Sequence, residues 1–145
     1  SILGEVLSYQ GDLPAAKREF EKALDIDYRY FGPDHTNVAI DWNNFAAVQE
    51  RMGDYENARK GYEEALRINR RAFGELHPGV AQSLGNLAGV QARSGNFEGS
   101  LLNYAHALAI AEQFDDAVLK PSLYEGLSIL NAENEHLVAA VFWGK

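Results

Sequence analysis

GDYENARKGYEEALRINRRAFGELHPGVAQSLGNLAGVQARS, residues 53–94, decides how the chain is read, because nearly the same text stands 42 residues earlier. Moved back onto Gly11–Met52 it keeps Gly53 on Gly11, Asp54 on Asp12, Ala58 on Ala16, Ala65-Leu66 on Ala23-Leu24 and Ile68 on Ile26. The agreement runs on through Phe73-Gly74 on Phe31-Gly32, His77 on His35, Val80-Ala81 on Val38-Ala39, Asn86 on Asn44, Ala88 on Ala46 and Arg93 on Arg51. Agreement at one fixed period marks a repeat array, in which each unit buries its apolar face only against its neighbours.

Outward from these two copies the apolar spacing is helical throughout. Leu3, Val6 and Leu7 form one stripe before Gly11-Asp12 breaks it. From Pro14, which suits a first turn, Ala16, Phe20, Ala23, Leu24 and Ile26 give a second helix one apolar face, with Lys17, Arg18, Glu21, Lys22 and Asp25 solvated opposite. Phe31-Gly32-Pro33 stops it, and Asp34 or Thr36 is the expected cap of the next helix. That helix spans about Asn37–Met52 with Val38, Trp42, Phe45, Ala46 and Val48 or Gln49 inward. The second copy repeats the plan to Gly95, with Val80, Ala81, Leu84, Leu87 and Ala88 inward on its last helix. A further helix from Phe97 to about Phe114 places Ser100 and Tyr104 in the columns of Ala58 and Tyr62. After it the period fails: Asp115–Pro121 has neither the Gly nor the His of the earlier linkers. Leu123, Leu127 and Leu130 predict one more helix, with Asn134 in the turn position and His136, Ala139 and Trp143 continuing the pattern. The units are therefore 1–31 with a truncated first helix, 37–73, 79–114, and a divergent, incomplete 121–145. Opening without Met and in mid-pattern, the chain is expected to be a fragment of a longer protein.

Composition narrows the function. With 46% hydrophobic residues, 145 residues suffice for a core. A net charge of -8, divided as -3 over residues 1–74 and -5 over 75–145, argues against nucleic acid or an anionic membrane as partner. No cysteine is present, which excludes disulfides and thiolate chemistry. No stretch approaches the roughly 20 apolar residues of a membrane span.

Two antiparallel helices joined by a short turn need a small residue where their backbones approach and a large one to fill the gap. Ala46/Ala88 and Ala16/Ala58/Ser100 supply the first; Trp42/Leu84 and Phe20/Tyr62/Tyr104 supply the second. Trp or Leu, then Phe-Ala or Leu-Ala, then Gly-Asp-Tyr, then Ala-x-x-x-Tyr-x-x-Ala-Leu resembles the tetratricopeptide repeat. The usual repeat of that family is about 34 residues. The 42-residue form, with FGPDHTNVA or FGELHPGVA between hairpins, is similar to the repeats of kinesin light chains; similar long repeats serve as sensor arms of signalling ATPases. Gln49 and Gln91 depart from the family's usual Tyr, and Gly85 and Gly89 thin one first-type helix. The resemblance implies an all-α right-handed solenoid of stacked antiparallel helix hairpins.

The resemblance also implies a concave groove lined by the first-type helices, which holds an extended peptide or a partner helix. Carried over by register, its positions are Asn43, Asn44, Ala47, Glu50 and Arg51 in one unit and Gln82, Gly85, Asn86, Gly89, Ala92 and Arg93 in the next, with Glu5, Ser8 and Tyr9 extending it. Asn44 and Asn86 each offer a donor and an acceptor for a peptide backbone, against the plainer role of linking helices within the scaffold. Arg51 and Arg93 offer forked donors for a carboxylate, against a plain surface ion pair with Glu50 or another acid. Ala47, Gly85, Gly89 and Ala92 either leave room for a ligand or let helices approach.

Catalysis finds no residues. His35 and His77 stand one repeat apart, on the order of 10 Å, too far for both to reach one metal ion at about 2 Å. They read as linker residues that begin the next helix, and His106 as surface. Glu63-Glu64, Asp115-Asp116 and Glu133/Glu135 lack a neighbouring nucleophile or acid and read as solvated faces. The expectation is a non-enzymatic interaction module that binds a protein or peptide with an acidic group, without cofactor or metal, in the cytoplasm. The alternative is a structural segment of a longer array that stacks end to end or self-associates.

Overall fold

The structure is a computed structural model in which residues 1–135 are described. Those residues form seven helices and no strand: α1 (Ile2–Tyr9), α2 (Leu13–Phe31), α3 (Thr36–Arg51), α4 (Tyr55–Phe73), α5 (Pro78–Arg93), α6 (Phe97–Gln113) and α7 (Leu119–Glu133). They fall into two units, Ser1–Ala72 and Phe73–Lys145.

In the first unit Gly11 and Gly53 make the turns α1–α2 and α3–α4 at φ 87° and 81°, a conformation that costs glycine little. Asp12 then caps α2, its carboxylate accepting the Ala15 N–H at 3.2 Å, with Pro14 in the first turn. Ala16, Phe20 and Val48 form one core cluster with Leu7, Leu13 and Phe45 against it. Leu24, Val38, Ala39, Ala65 and Ile68 form another with Trp42 and Phe45. Phe45 belongs to both, so α3 is wedged between α2 and α4. Each fully buried side chain of the Leu, Ile or Phe class contributes roughly 1.5–3 kcal/mol.

Three expectations change here. Ile26 is 63% exposed, whereas Ile68 in the same column is fully buried. Val38 and Ala39, which cover Ile68, have no counterpart in the eight-residue α1. On α1 itself, Leu3 and Val6 are exposed at 54% and 45%, and Gly4 is the buried position, pressed onto the Phe20 ring. The cap of α3 is neither Asp34 nor Thr36. Thr36 is already helical, and Asp34 is held by Arg67 at 2.8 Å and Arg71 at 3.2 Å, a pairing that keeps its carboxyl below the usual range. His35 caps instead, its Nδ1 accepting the Asn37 N–H at 3.1 Å while its ring stacks on Phe31 at 4.3 Å.

His77 repeats this device in the second unit, Nδ1 accepting the Gly79 N–H at 2.9 Å and the ring stacking on Phe73 at 4.1 Å. The two histidines therefore begin helices, as their place in the linkers suggests. Gly95 (φ 89°) turns α5 into α6, and Asn96 caps α6. Ser100, fully buried where the other copies have alanine, donates its hydroxyl to the Ala88 carbonyl at 2.6 Å. Leu101 and Leu130 centre a cluster with Ala92, Phe97, Tyr104 and Leu127, placing α6 between α5 and α7. The divergent linker manages without Gly or His: Asp115 takes φ 49°, which Asp tolerates, and Asp116 accepts the N–H groups of Val118 and Leu119 at 3.1 and 2.9 Å. Leu123 and Leu130 are buried as expected, and α7 ends at Asn134. His136, Ala139 and Trp143 lie outside the described residues.

Candidate functional site

α1, α2 and α3 enclose a hollow of about 320 Å³ lined by Glu5, Ser8, Tyr9, Phe20, Asn44, Ala47, Val48 and Arg51. The spacing explains the convergence. Asn44, Ala47, Val48 and Arg51 lie at i, i+3, i+4 and i+7 on one face of α3, and Glu5, Ser8 and Tyr9 do the same on α1. Phe20 and Val48 form an apolar floor, Ala47 leaves space above it, and Tyr9 stands 93% exposed at the lip. The carboxylate of Glu5, the amide of Asn44 and the guanidinium of Arg51 surround it.

Arg51 ties the walls together: its Nη1 donates to the Ser8 carbonyl at 2.9 Å and also to the Ser8 hydroxyl. Glu50, the neighbouring acid, accepts the Tyr62 hydroxyl at 3.1 Å. The Asn44 amide has no hydrogen-bond partner among the described residues. Asn43, next to it, is half-buried with Oδ1 shielded from water and does not line the hollow.

In the second unit Gln82, Gly85 and Asn86 face a smaller hollow of about 140 Å³ with Tyr104, Leu119, Ser122 and Leu123. The Asn86 amide likewise has no hydrogen-bond partner among the described residues. The small residues divide by role. A Cβ on Gly85 would come within 2.9 Å of Leu123 Cδ2, so this glycine admits α7, and Ala92 packs under Leu101 and Leu130. A Cβ on Gly89 would lie 3.4 Å from the Tyr104 hydroxyl, an ordinary contact, while Ala47 opens onto the first hollow. Arg93 is exposed at the end of α5.

Two features escape a reading by periodicity. Asp41, 5% exposed on α3, faces Asp27 of α2, and its Oδ2 is buried without a partner. Burial, then the hydrogen bond and negative charge of Asp27, push its carboxyl up to about 7, with the chain's amino terminus pulling weakly the other way. The signal in the sequence is that the same columns one period later hold Asn69 and Ser83, both neutral. The second feature is the glutamine column. Gln91 accepts the Asn103 amide at 2.7 Å, but Asn103's column holds Gly61 one period earlier, and Gln49 Oε1 is buried without a partner.

Among the described residues no group of three His, Cys, Asp or Glu side chains could hold a metal ion, and no helix is long and apolar enough to cross a membrane. His106 stands at the surface, 3.3 Å from Glu75. The tetratricopeptide repeat family model matches residues 1–59 and, overlapping, 39–113. Among solved structures the chain is similar to BtubC (BKLC) from P. vanneervenii, with a TM-score of 0.85 and 22% identity over 98% of this chain. The chain spans 58% of that protein's length. The two share the all-α helical-repeat fold. Among curated proteins no match is found.

Proposed function

The chain belongs to the tetratricopeptide repeat family of protein-interaction scaffolds, and from that premise we propose that its first-type helices hold an extended peptide segment of a partner protein. The observation that carries this is the convergence of Glu5, Ser8, Tyr9, Asn44, Ala47 and Arg51 on one hollow with an apolar floor. Asn44 faces it with an amide that has no hydrogen-bond partner among the described residues, so its donor and acceptor serve a peptide backbone whatever the side chains. Among the described residues Arg51 is engaged through Nη1 alone. Its remaining N–H donors serve an acidic group of the ligand. Asn86 repeats the amide in the second unit beside Gln82, and Arg93 repeats the guanidinium.

The test is Asn44→Ala with Asn86→Ala, measured by fluorescence anisotropy on a peptide selected from an array against the wild-type chain. Two neutral hydrogen bonds of about 1 kcal/mol each correspond to a loss of roughly tenfold to thirtyfold. An unchanged affinity in a variant with wild-type circular dichroism counts against the groove.

A further inference from the structure

A second hollow of the first unit, about 280 Å³, lies between α2 and α3 and is lined by Glu21, Leu24, Asp25, Tyr28, Trp42 and Phe45. Its inner surface is carbon. Leu24 is buried, Trp42 and Phe45 are half-buried with ring centroids 6.4 Å apart and planes tilted by 49°, and Tyr28 is half exposed. Glu21 and Asp25 stand one helical turn apart on the same side of α2. Asp25 meets Arg29 at 3.2 Å in an exposed pair, whereas Glu21 has no ion-pair partner among the described residues.

Two independent sources make this hollow attract cations: three aromatic side chains and two carboxylates among its lining residues. The occupant that satisfies both is a cation on an apolar stem, which buries its methylenes against Leu24 and Phe45. Arginine fits better than lysine. A planar guanidinium stacks on a ring face while its forked N–H groups reach separate carboxylates. The repeat itself does not require this set. One period later the same columns read Glu63, Leu66, Arg67, Arg70, Leu84 and Leu87, so leucines replace Trp42 and Phe45, and arginines stand where Asp25 and Tyr28 stand here. On α3, Trp42 and Phe45 point about 140° away from Asn44, Ala47 and Arg51 at 100° per residue. A ligand in the first hollow therefore leaves this one open.

We propose that this hollow seats an arginine side chain of a protein partner, its guanidinium against Trp42 and Tyr28 and its N–H groups on Glu21 and Asp25. The probe is a short capped peptide with one arginine between glycines, compared with its citrulline counterpart, which has the same shape and no charge. Each is titrated into the isotope-labelled chain, and the Trp42 indole N–H is followed by NMR with the Trp143 indole as internal control. The expected result is a saturable shift of the Trp42 signal with the arginine peptide only, weakening with added salt. Glu21→Gln with Asp25→Asn, at the surface of α2, should lower the affinity about tenfold. Trp42→Leu, the residue of the next repeat, should lower it at least as far. No saturable Trp42 shift, equal binding of the citrulline peptide, or full affinity in the Glu21/Asp25 variant would overturn the proposal.

Discussion

Asp41→Asn is expected to stabilise the protein at neutral pH, with an advantage that shrinks as pH falls towards the ordinary carboxylate range. Asp41 is 5% exposed against Asp27, and its carboxyl is raised from 3.8 to about 7. Between those values the folded state holds a proton that the unfolded state has released. Stability therefore falls as pH rises through this window and levels off above it. At about 1.4 kcal/mol per unit, roughly three units set a ceiling of about 4 kcal/mol on the cost at neutral pH. The amide of asparagine keeps the shape, carries no charge and donates to Asp27, so the variant escapes the cost. At about 2–4 °C per kcal/mol for a chain of this size, the ceiling is on the order of 10 °C in Tm. Thermal unfolding followed by circular dichroism from pH 4.5 to 8.5 should show the variant's advantage growing severalfold, from about 1 kcal/mol at the acidic end towards the ceiling. Asp34, Glu56 and Asp115, held low chiefly by hydrogen bonds from Arg67, Arg59 and Lys120, lose their stabilising effect only as pH falls below the usual carboxylate range, and they cancel in the difference. A difference between the two proteins that stays constant across this range would refute the reasoning, because it would mean that Asp41 does not change its proton occupancy there.

Gly126→Ala should destabilise the second unit, because the added Cβ would lie 2.6 Å from the Tyr104 hydroxyl oxygen and 2.7 Å from Cε1 of its ring. Overpacking of this kind costs about 1–3 kcal/mol, read as a lowered Tm; an unchanged or raised Tm would show that Tyr104 moves aside freely.

The hairpins, their turns and their core columns were legible in the sequence because a repeat states each of these twice. Gly11 and Gly53 turn, Ala16, Ala58 and Ser100 are fully buried, and Val38 and Val80 point inward wherever the period places them. Much of the candidate site was legible for the same reason, since Asn44, Ala47 and Arg51 share a face by helical spacing alone. Tertiary structure decided what depends on neighbours that the period does not supply. Arg51 spends one arm on Ser8, 43 residues away on α1. Gly85 admits α7, whose linker breaks the period, and so its small size serves packing and not a ligand. Asp41 has its carboxyl pushed up by burial and then by Asp27, which stands where the next repeat has Asn69. Periodicity determines which way a side chain points; what it meets there depends on helix lengths and on the residue opposite, and those exist only once the chain has packed.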